Sequence, residues 1–136
     1  MVPTQPSILI VDDEFGLAEM LREMLREYGY SVTLAINGRL ALDILAEQKV
    51  DLVITDMMMP VMDGGELASA MRGSEMYRHT PIVMMTSLPS AAPRRGDLFD
   101  AILRKPFTPE LLLKTLLVCL AEASDSAEGQ TETRPI

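Results

Sequence analysis

The stretch that decides the fold is 51–72, DLVITDMMMPVMDGGELASAMR. Its first six residues, DLVITD (51–56), form a short apolar run with β-branched residues, closed by Asp56. That pattern reads as a buried strand. A loop with Pro60 follows, and GGELASAMR (64–72) reads as a short helix. A buried strand that ends on an acid and feeds a helix through a loop is one unit of an α/β fold.

The same unit repeats on either side. SILIV (7–11) is an apolar run that ends at Asp12-Asp13. Behind it, Leu17, Met20, Leu21, Met24, Leu25 and Tyr28 recur at helical spacing over 15–28, and Gly29 stops the helix. SVTLA (31–35) is a second strand, and Asn37-Gly38 caps a helix through about Gln48 with Leu40, Ala41, Ile44 and Leu45 inward. Downstream, PIVMMTS (81–87) and AILR (101–104) read as strands. Thr108-Pro109 opens a last helix, with threonine as N-cap and proline in the first turn. Strands alternating with helices predict a parallel sheet covered on both faces, an α/β doubly wound fold.

Composition sets the frame. The 136 residues suit one domain. A hydrophobic share of 48% and a charged share of 24% are ordinary globular usage. Net charge is −8, which argues against non-specific binding to nucleic acid or an anionic membrane. Cys119 is the lone cysteine, so no internal disulfide forms and a reducing, cytoplasmic setting is expected. The N-terminal stretch lacks a basic region ahead of its apolar run and does not read as a signal peptide. The apolar run at 111–121 is too short to span a bilayer. From Glu122 the chain is polar and acidic, so 1–121 is expected to be the domain and 122–136 a flexible acidic tail or linker.

The chemistry gathers at strand ends. Asp12 and Asp13 follow the first strand, Asp56 ends the third, Thr86 ends the fourth and Lys105 follows the fifth. Carboxyl ends of parallel strands share one edge, where ligands bind. Three carboxylates there repel one another unless a cation is present, and an all-oxygen set suits Mg²⁺, or Mn²⁺ in its place. A metal, an ammonium and a hydroxyl around a carboxylate are what phosphoryl transfer needs. Asp56 is the natural nucleophile. Taken singly, each residue has a plainer reading: Asp12-Asp13 as a helix cap, Asp56 and Thr86 as strand ends, Lys105 as a surface lysine. Coincidence at four strand ends on one edge outweighs those readings.

With these residues in place, the chain resembles the receiver domain of two-component response regulators. ILIVDDE (8–14), LVITDMMMPVMDGGEL (52–67), PIVMMTS (81–87) and LRKPF (103–107) match that family's blocks in order. The resemblance implies a flavodoxin-like (βα)5 sheet of five parallel strands, order 2-1-3-4-5. It implies Asp56 as phosphoacceptor, with Asp12, Asp13, Asp56 and the Met58 backbone carbonyl around Mg²⁺. Thr86 and Lys105 would bind the phosphoryl group, Thr86 as the switch hydroxyl. Lys105-Pro106 would be a cis peptide, and Gly64 would permit the turn after the site. The implied partners are a sensor histidine kinase or phosphotransfer protein and a downstream protein target.

Three positions depart from that pattern. Ile102 stands where the family often has a switch aromatic, so readout through the loop after Thr86 is expected instead. Nineteen positions separate Thr86 from Lys105, a short span, and SLPSAAPRRG (87–96) holds two prolines. The fourth helix is therefore expected to be a turn or absent. Met58 and Leu88 flank the phosphoryl position and cannot orient a water, so slow dephosphorylation is expected.

Of the last helix, only Lys114 and Thr115 are polar between 111 and 121, which predicts burial all round, or an uncovered face for a homodimer or partner if the fourth helix is short. The reading is a phosphorylation-driven binding module and not a turnover enzyme. Its rivals are a receiver scaffold that is never phosphorylated and a hydrolase of the haloacid-dehalogenase type. The hydrolase wants an acid where Met58 stands. A flavodoxin wants a phosphate loop where Asp12-Asp13-Glu14 stands, and no P-loop motif occurs.

Overall fold

The computed structural model describes residues 5–87 and 98–133, with side chains through 124. In chain order the elements are β1 (Ser7–Val11), α1 (Phe15–Glu27), β2 (Ser31–Ala35), α2 (Gly38–Glu47), β3 (Leu52–Asp56), α3 (Gly64–Arg72), β4 (Ile82–Thr86), β5 (Ala101–Arg104) and α4 (Pro109–Thr133). The strands make one parallel sheet in the order β2-β1-β3-β4-β5. The doubly wound fold expected from the alternation is therefore present. The expected fourth helix slot and Leu88 fall in 88–97, outside the described residues.

Each helix covers one face because its apolar residues fall on one stripe. Ala18, Leu21 and Leu25 of α1 pack with Leu112, Leu116, Cys119 and Leu120 of α4 over Ile8, Ile10, Ile54 and Met85. On the other face, Ala41 and Leu45 of α2 and Leu67, Ala68 and Met71 of α3 cover Leu9, Val11, Val53, Ile82 and Met84. The central strands, buried on both faces, accordingly carry continuous apolar runs and not an alternating pattern. Met20 and Tyr28, expected inward on α1, stand exposed, as does Leu40 on α2. Their spacing fits a helix, but they sit at the margin of a stripe that small Ala18 and Ala41 fill more closely.

The caps follow the sequence. Asn37 accepts from the Leu40 N–H at 2.9 Å, and Thr108 Oγ1 accepts from the Leu111 N–H at 3.1 Å. At α3, Asp63 and Glu66 form a reciprocal capping box, with Glu66 N–H on Asp63 Oδ1 at 2.8 Å and Asp63 N–H on Glu66 Oε1 at 3.0 Å.

One expectation about α4 is corrected. Its residues 111–121 are not buried all round: Leu111, Leu117 and Val118 face solvent, with Leu117 59% exposed. The helix rests on a single sheet face, so its Leu112, Leu116, Cys119 and Leu120 stripe is covered, with Leu113 partly buried at the margin. Past Glu122 the backbone stays helical to Thr133 as a continuation of α4. Alanine and glutamate there favour helix, while Ser124, Asp125, Ser126, Gly129 and the two threonines weigh against it.

One side chain fastens the far edge of the sheet. Arg72, ending α3, donates from Nε to the Leu98 carbonyl at 3.2 Å and from Nη1 to the Arg78 and Thr80 carbonyls at 3.0 and 2.7 Å. Its Nη2 meets Asp100 Oδ2 at 2.9 Å. The same Oδ2 accepts the Ile82 N–H at 2.8 Å. The starts of β4 and β5 are thus tied to the end of α3 through one guanidinium.

Candidate functional site

The carboxyl ends of β1, β3, β4 and β5 bring the five sequence-singled residues to one edge. Asp12 follows Val11 and is 1% exposed. Its Oδ1 accepts the Glu14 N–H at 2.9 Å, a local turn that directs the chain into α1. Asp13 beside it is exposed, and Asp56 at the end of β3 is partly buried. Carboxylate oxygens of Asp12, Asp13 and Asp56 lie within 4.8 Å of one another. Lys105 reaches them from past β5: its Nζ is 3.1 Å from Asp56 Oδ1 and 3.8 Å from Asp12 Oδ2. The Lys105 N–H donates to the Thr86 carbonyl at 2.8 Å, which sets the lysine against the end of β4. Thr86 itself is buried, and its hydroxyl donates to Met57 Sδ at 3.7 Å. The Lys105-Pro106 peptide is cis.

Burial pushes the Asp12 carboxyl above its ordinary range. The Glu14 amide opposes this, Asp56 adds to it, Lys105 opposes it, and Asp13 adds to it. Asp12 Oδ2 is buried with no hydrogen-bond donor among the described residues, since Lys105 at 3.8 Å is beyond bonding range. A buried carboxylate oxygen without a donor, facing two further carboxylates, is a poor arrangement for the protein alone and a suitable one for a hard divalent cation. The donor set fits Mg²⁺ or Mn²⁺ on chemistry.

The loop from Met57 to Asp63 leads from the site to α3 and is held at three places. The Gly64 N–H donates to the Met57 carbonyl at 3.0 Å, and a Cβ on Gly64 would lie 2.3 Å from the Asp56 carbonyl oxygen. Only glycine permits that approach. The Gly38 N–H donates to the Met62 carbonyl at 3.0 Å, joining the loop to the start of α2. Between them, Val61 takes φ 72°, and the Met62 N–H bonds the Pro60 carbonyl across it at 2.8 Å. A β-branched residue rarely adopts that conformation. Met58 and Val61, 61% and 78% exposed, form the loop's outer surface.

These blocks, in this order on this sheet, match the response regulator receiver domain model over residues 8–117. The chain belongs to the response regulator receiver family. It is 38% identical over 130 residues to the response regulator MprA of Mycolicibacterium vanbaalenii, covering 91% of this chain and 54% of that protein. Among solved structures, the chemotaxis response regulator CheY4 of Vibrio cholerae aligns at TM-score 0.76 and 36% identity over 85% of this chain and 99% of that one. The signal receiver domain of an HD domain-containing protein from Pseudomonas fluorescens Pf-5 aligns at TM-score 0.84 and 28% identity, over 94% and 96%. This receiver chain spans about half the length of the MprA relatives it matches. No helix among the described residues is long and apolar enough to cross a membrane.

Asp12, Asp13, Asp56, Thr86 and Lys105 of the receiver thus converge as the sequence implies. Ile102 is partly buried on β5, outside that cluster, packed against the sheet face that α2 and α3 cover. Two residues of consequence carried no signal in the sequence reading, Met57 and Arg72. A methionine beside the site looks like packing, and most of Arg72's acceptors are backbone carbonyls that residue types do not reveal.

Proposed function

We propose that this receiver accepts a phosphoryl group on Asp56 from a phosphohistidine of a sensor kinase or phosphotransfer protein, and thereby changes its affinity for a protein target. The observation that carries the reading is the Lys105 ammonium 3.1 Å from Asp56 Oδ1 within a three-carboxylate cluster. An Asp56 carboxylate oxygen attacks phosphorus, the phosphorus–nitrogen bond breaks, and the imidazole leaves with a proton from solvent. Lys105 offsets charge on the attacking carboxylate and the transferred oxygens. The Thr86 hydroxyl, on the neighbouring strand, donates to a phosphoryl oxygen after transfer. Asp12, Asp13, Asp56 and the Met58 carbonyl would hold Mg²⁺ or Mn²⁺, which supplies charge neutralisation to the equatorial oxygens.

The chain acts as a phosphoacceptor of the phosphorelay, and not by substrate turnover. Its domain is 1–121, and the helical extension from Glu122 serves as tail or linker. The exposed Leu117 and Val118 of α4 support a protein contact there, to a target or a second copy. Leu88 and Met58 would leave the aspartyl-phosphate without a water-orienting group, which favours a long-lived signal.

The test is intact mass after incubation with Mg²⁺ and acetyl phosphate. Gain of one phosphoryl group, lost in Asp56→Asn and without added Mg²⁺, is the expected result. No gain, or gain that survives Asp56→Asn, overturns the assignment. Continuous release of phosphate from simple esters would instead favour the hydrolase.

A further inference from the structure

Met57, the first residue after Asp56, opens the loop that runs on to α3. Its N–H donates to the Met85 carbonyl at 3.0 Å, so it continues β3 alongside β4. Its sulfur receives the Thr86 hydroxyl at 3.7 Å. A thioether is a weak acceptor. A phosphoryl oxygen is charged, and hydrogen bonds to charged acceptors are roughly twice as strong as neutral ones. A charged oxygen arriving on neighbouring Asp56 therefore draws the hydroxyl away from sulfur, and Met57 is left to repack.

What Met57 can do next follows from its neighbours. It packs against the core layer that also takes in Met59, Met62 and Ile102. Isoleucine is stiff at χ1 and has no ring to swing. Methionine is unbranched, with three rotatable bonds, and adapts to a changed gap. Met62 lies at the far end of the loop against α2, where a Cβ on Gly38 would come within 2.7 Å of its Cγ. That contact leaves Met62 little slack, so a shift of the loop is felt at the start of α2.

We propose that Met57 is the positioning residue that couples the Thr86 hydroxyl to the 57–63 loop. Phosphorylation is then read on the surface made by Met58 and Val61 and at the start of α2, and residue 102 is a bystander. This rests on Asp56 being the phosphoacceptor.

The methionine methyls report the coupling directly. Protein labelled with ¹³C at the methionine methyls is compared before and after Mg²⁺ and acetyl phosphate, with the extent of modification fixed by intact mass. Met57 is assigned from the Met57→Leu spectrum, or from through-space contacts if that variant does not fold. Three results are expected: the Met57 methyl moves on modification, it moves in unmodified Thr86→Val, and at matched modification Met57→Leu at least halves the response of Met59 and Met62. A modified protein whose Met57 methyl stays in place overturns the coupling alone, as does an undiminished Met59 and Met62 response in Met57→Leu. Absence of any mass gain overturns the phosphoacceptor reading, and the coupling falls with it.

Discussion

Lys105 Nζ lies 3.1 Å from Asp56 Oδ1, and both side chains are largely shielded from water. Among the described residues it is the one cation–carboxylate contact of hydrogen-bonding length at the site, since Asp12 Oδ2 stands farther off at 3.8 Å. Replacing Lys105 with methionine keeps much of the apolar stem and removes the charge. Phosphoryl acceptance from acetyl phosphate should then slow by roughly 100-fold or more, the usual loss for a preorganised charge-stabilising donor. A time course of intact mass gives the rate, and a change of only twofold would remove Lys105 from the mechanism.

Asp12→Asn should stabilise the protein when no divalent ion is present. The folded state holds the Asp12 carboxyl above its unfolded range, so folding favours its protonated form. That contribution is complete below the unfolded value, near 3.8, and is lost as pH rises through the folded value. At neutral pH the ionised, buried Asp12 is a burden of about 1–2 kcal/mol, which asparagine removes. Thermal melts with chelator should place Asp12→Asn above wild type. Saturating Mg²⁺ should raise the wild type and leave the variant unmoved, because only a site that binds gains stability by mass action. A variant that melts lower under chelator contradicts the assignment of strain to Asp12.

Adjacent glycines should respond with opposite sign. A Cβ at Gly64 would meet the Asp56 carbonyl oxygen at 2.3 Å, and backbone cannot swing aside. At Gly65 the nearest atom is Asp63 Oδ1 at 3.5 Å, an ordinary contact inside the first turn of α3. Gly64→Ala should cost about 3 kcal/mol. Gly65→Ala should be neutral or gain up to about 1 kcal/mol from helix propensity. Chemical denaturation of the two variants decides it, and equal stabilities would mean that the close approach is not rigid.

The strands and helices were legible because each is announced by residue type. Buried parallel strands such as LVITD and IVMMT are runs of apolar, often β-branched residues, and Asn37 and Thr108 mark helix starts by their side-chain oxygens. The site was legible for a topological reason: Asp56 and Thr86 end strands, Asp12 and Lys105 directly follow them, and parallel strands end on one edge. What escaped notice were contacts whose chemistry lies outside residue type. Met57 receives the Thr86 hydroxyl through a sulfur that reads as packing, and Arg72 spends its donors on carbonyls. The helical run past Glu122 has no apolar stripe to announce it, and its serines, threonines and Gly129 weigh against helix.

Arg72→Ala should destabilise by about 3 kcal/mol, since it removes the donors to the Thr80 and Leu98 carbonyls and the guanidinium that pairs with Asp100. Arg72→Lys should recover little of this, because an ammonium cannot serve acceptors spread along a planar fork. Urea midpoints measure both. Lysine restoring wild-type stability would show that charge, and not the fork, is what matters.

Met58→Asn should shorten the life of the aspartyl-phosphate. Met58 is exposed at the loop surface two residues after Asp56, so the exchange leaves the core untouched. An amide there can orient an attacking water. The acceleration should be severalfold, below the roughly 100-fold at which full general-base assistance begins. Decay of the phosphorylated mass after removal of acetyl phosphate gives the lifetime, and an unchanged lifetime would show that position 58 does not govern hydrolysis.

The Arg72 clamp has a consequence for engineering. It fixes Thr80, Leu98 and Asp100 from the far side of α3, so the last strand is seated by a guanidinium at its start and by the Lys105–Thr86 backbone bond at its end. β5 is thus pinned at both ends by groups outside its own ladder with β4, and a redesign of this sheet has to carry Arg72 and Asp100 together as a pair.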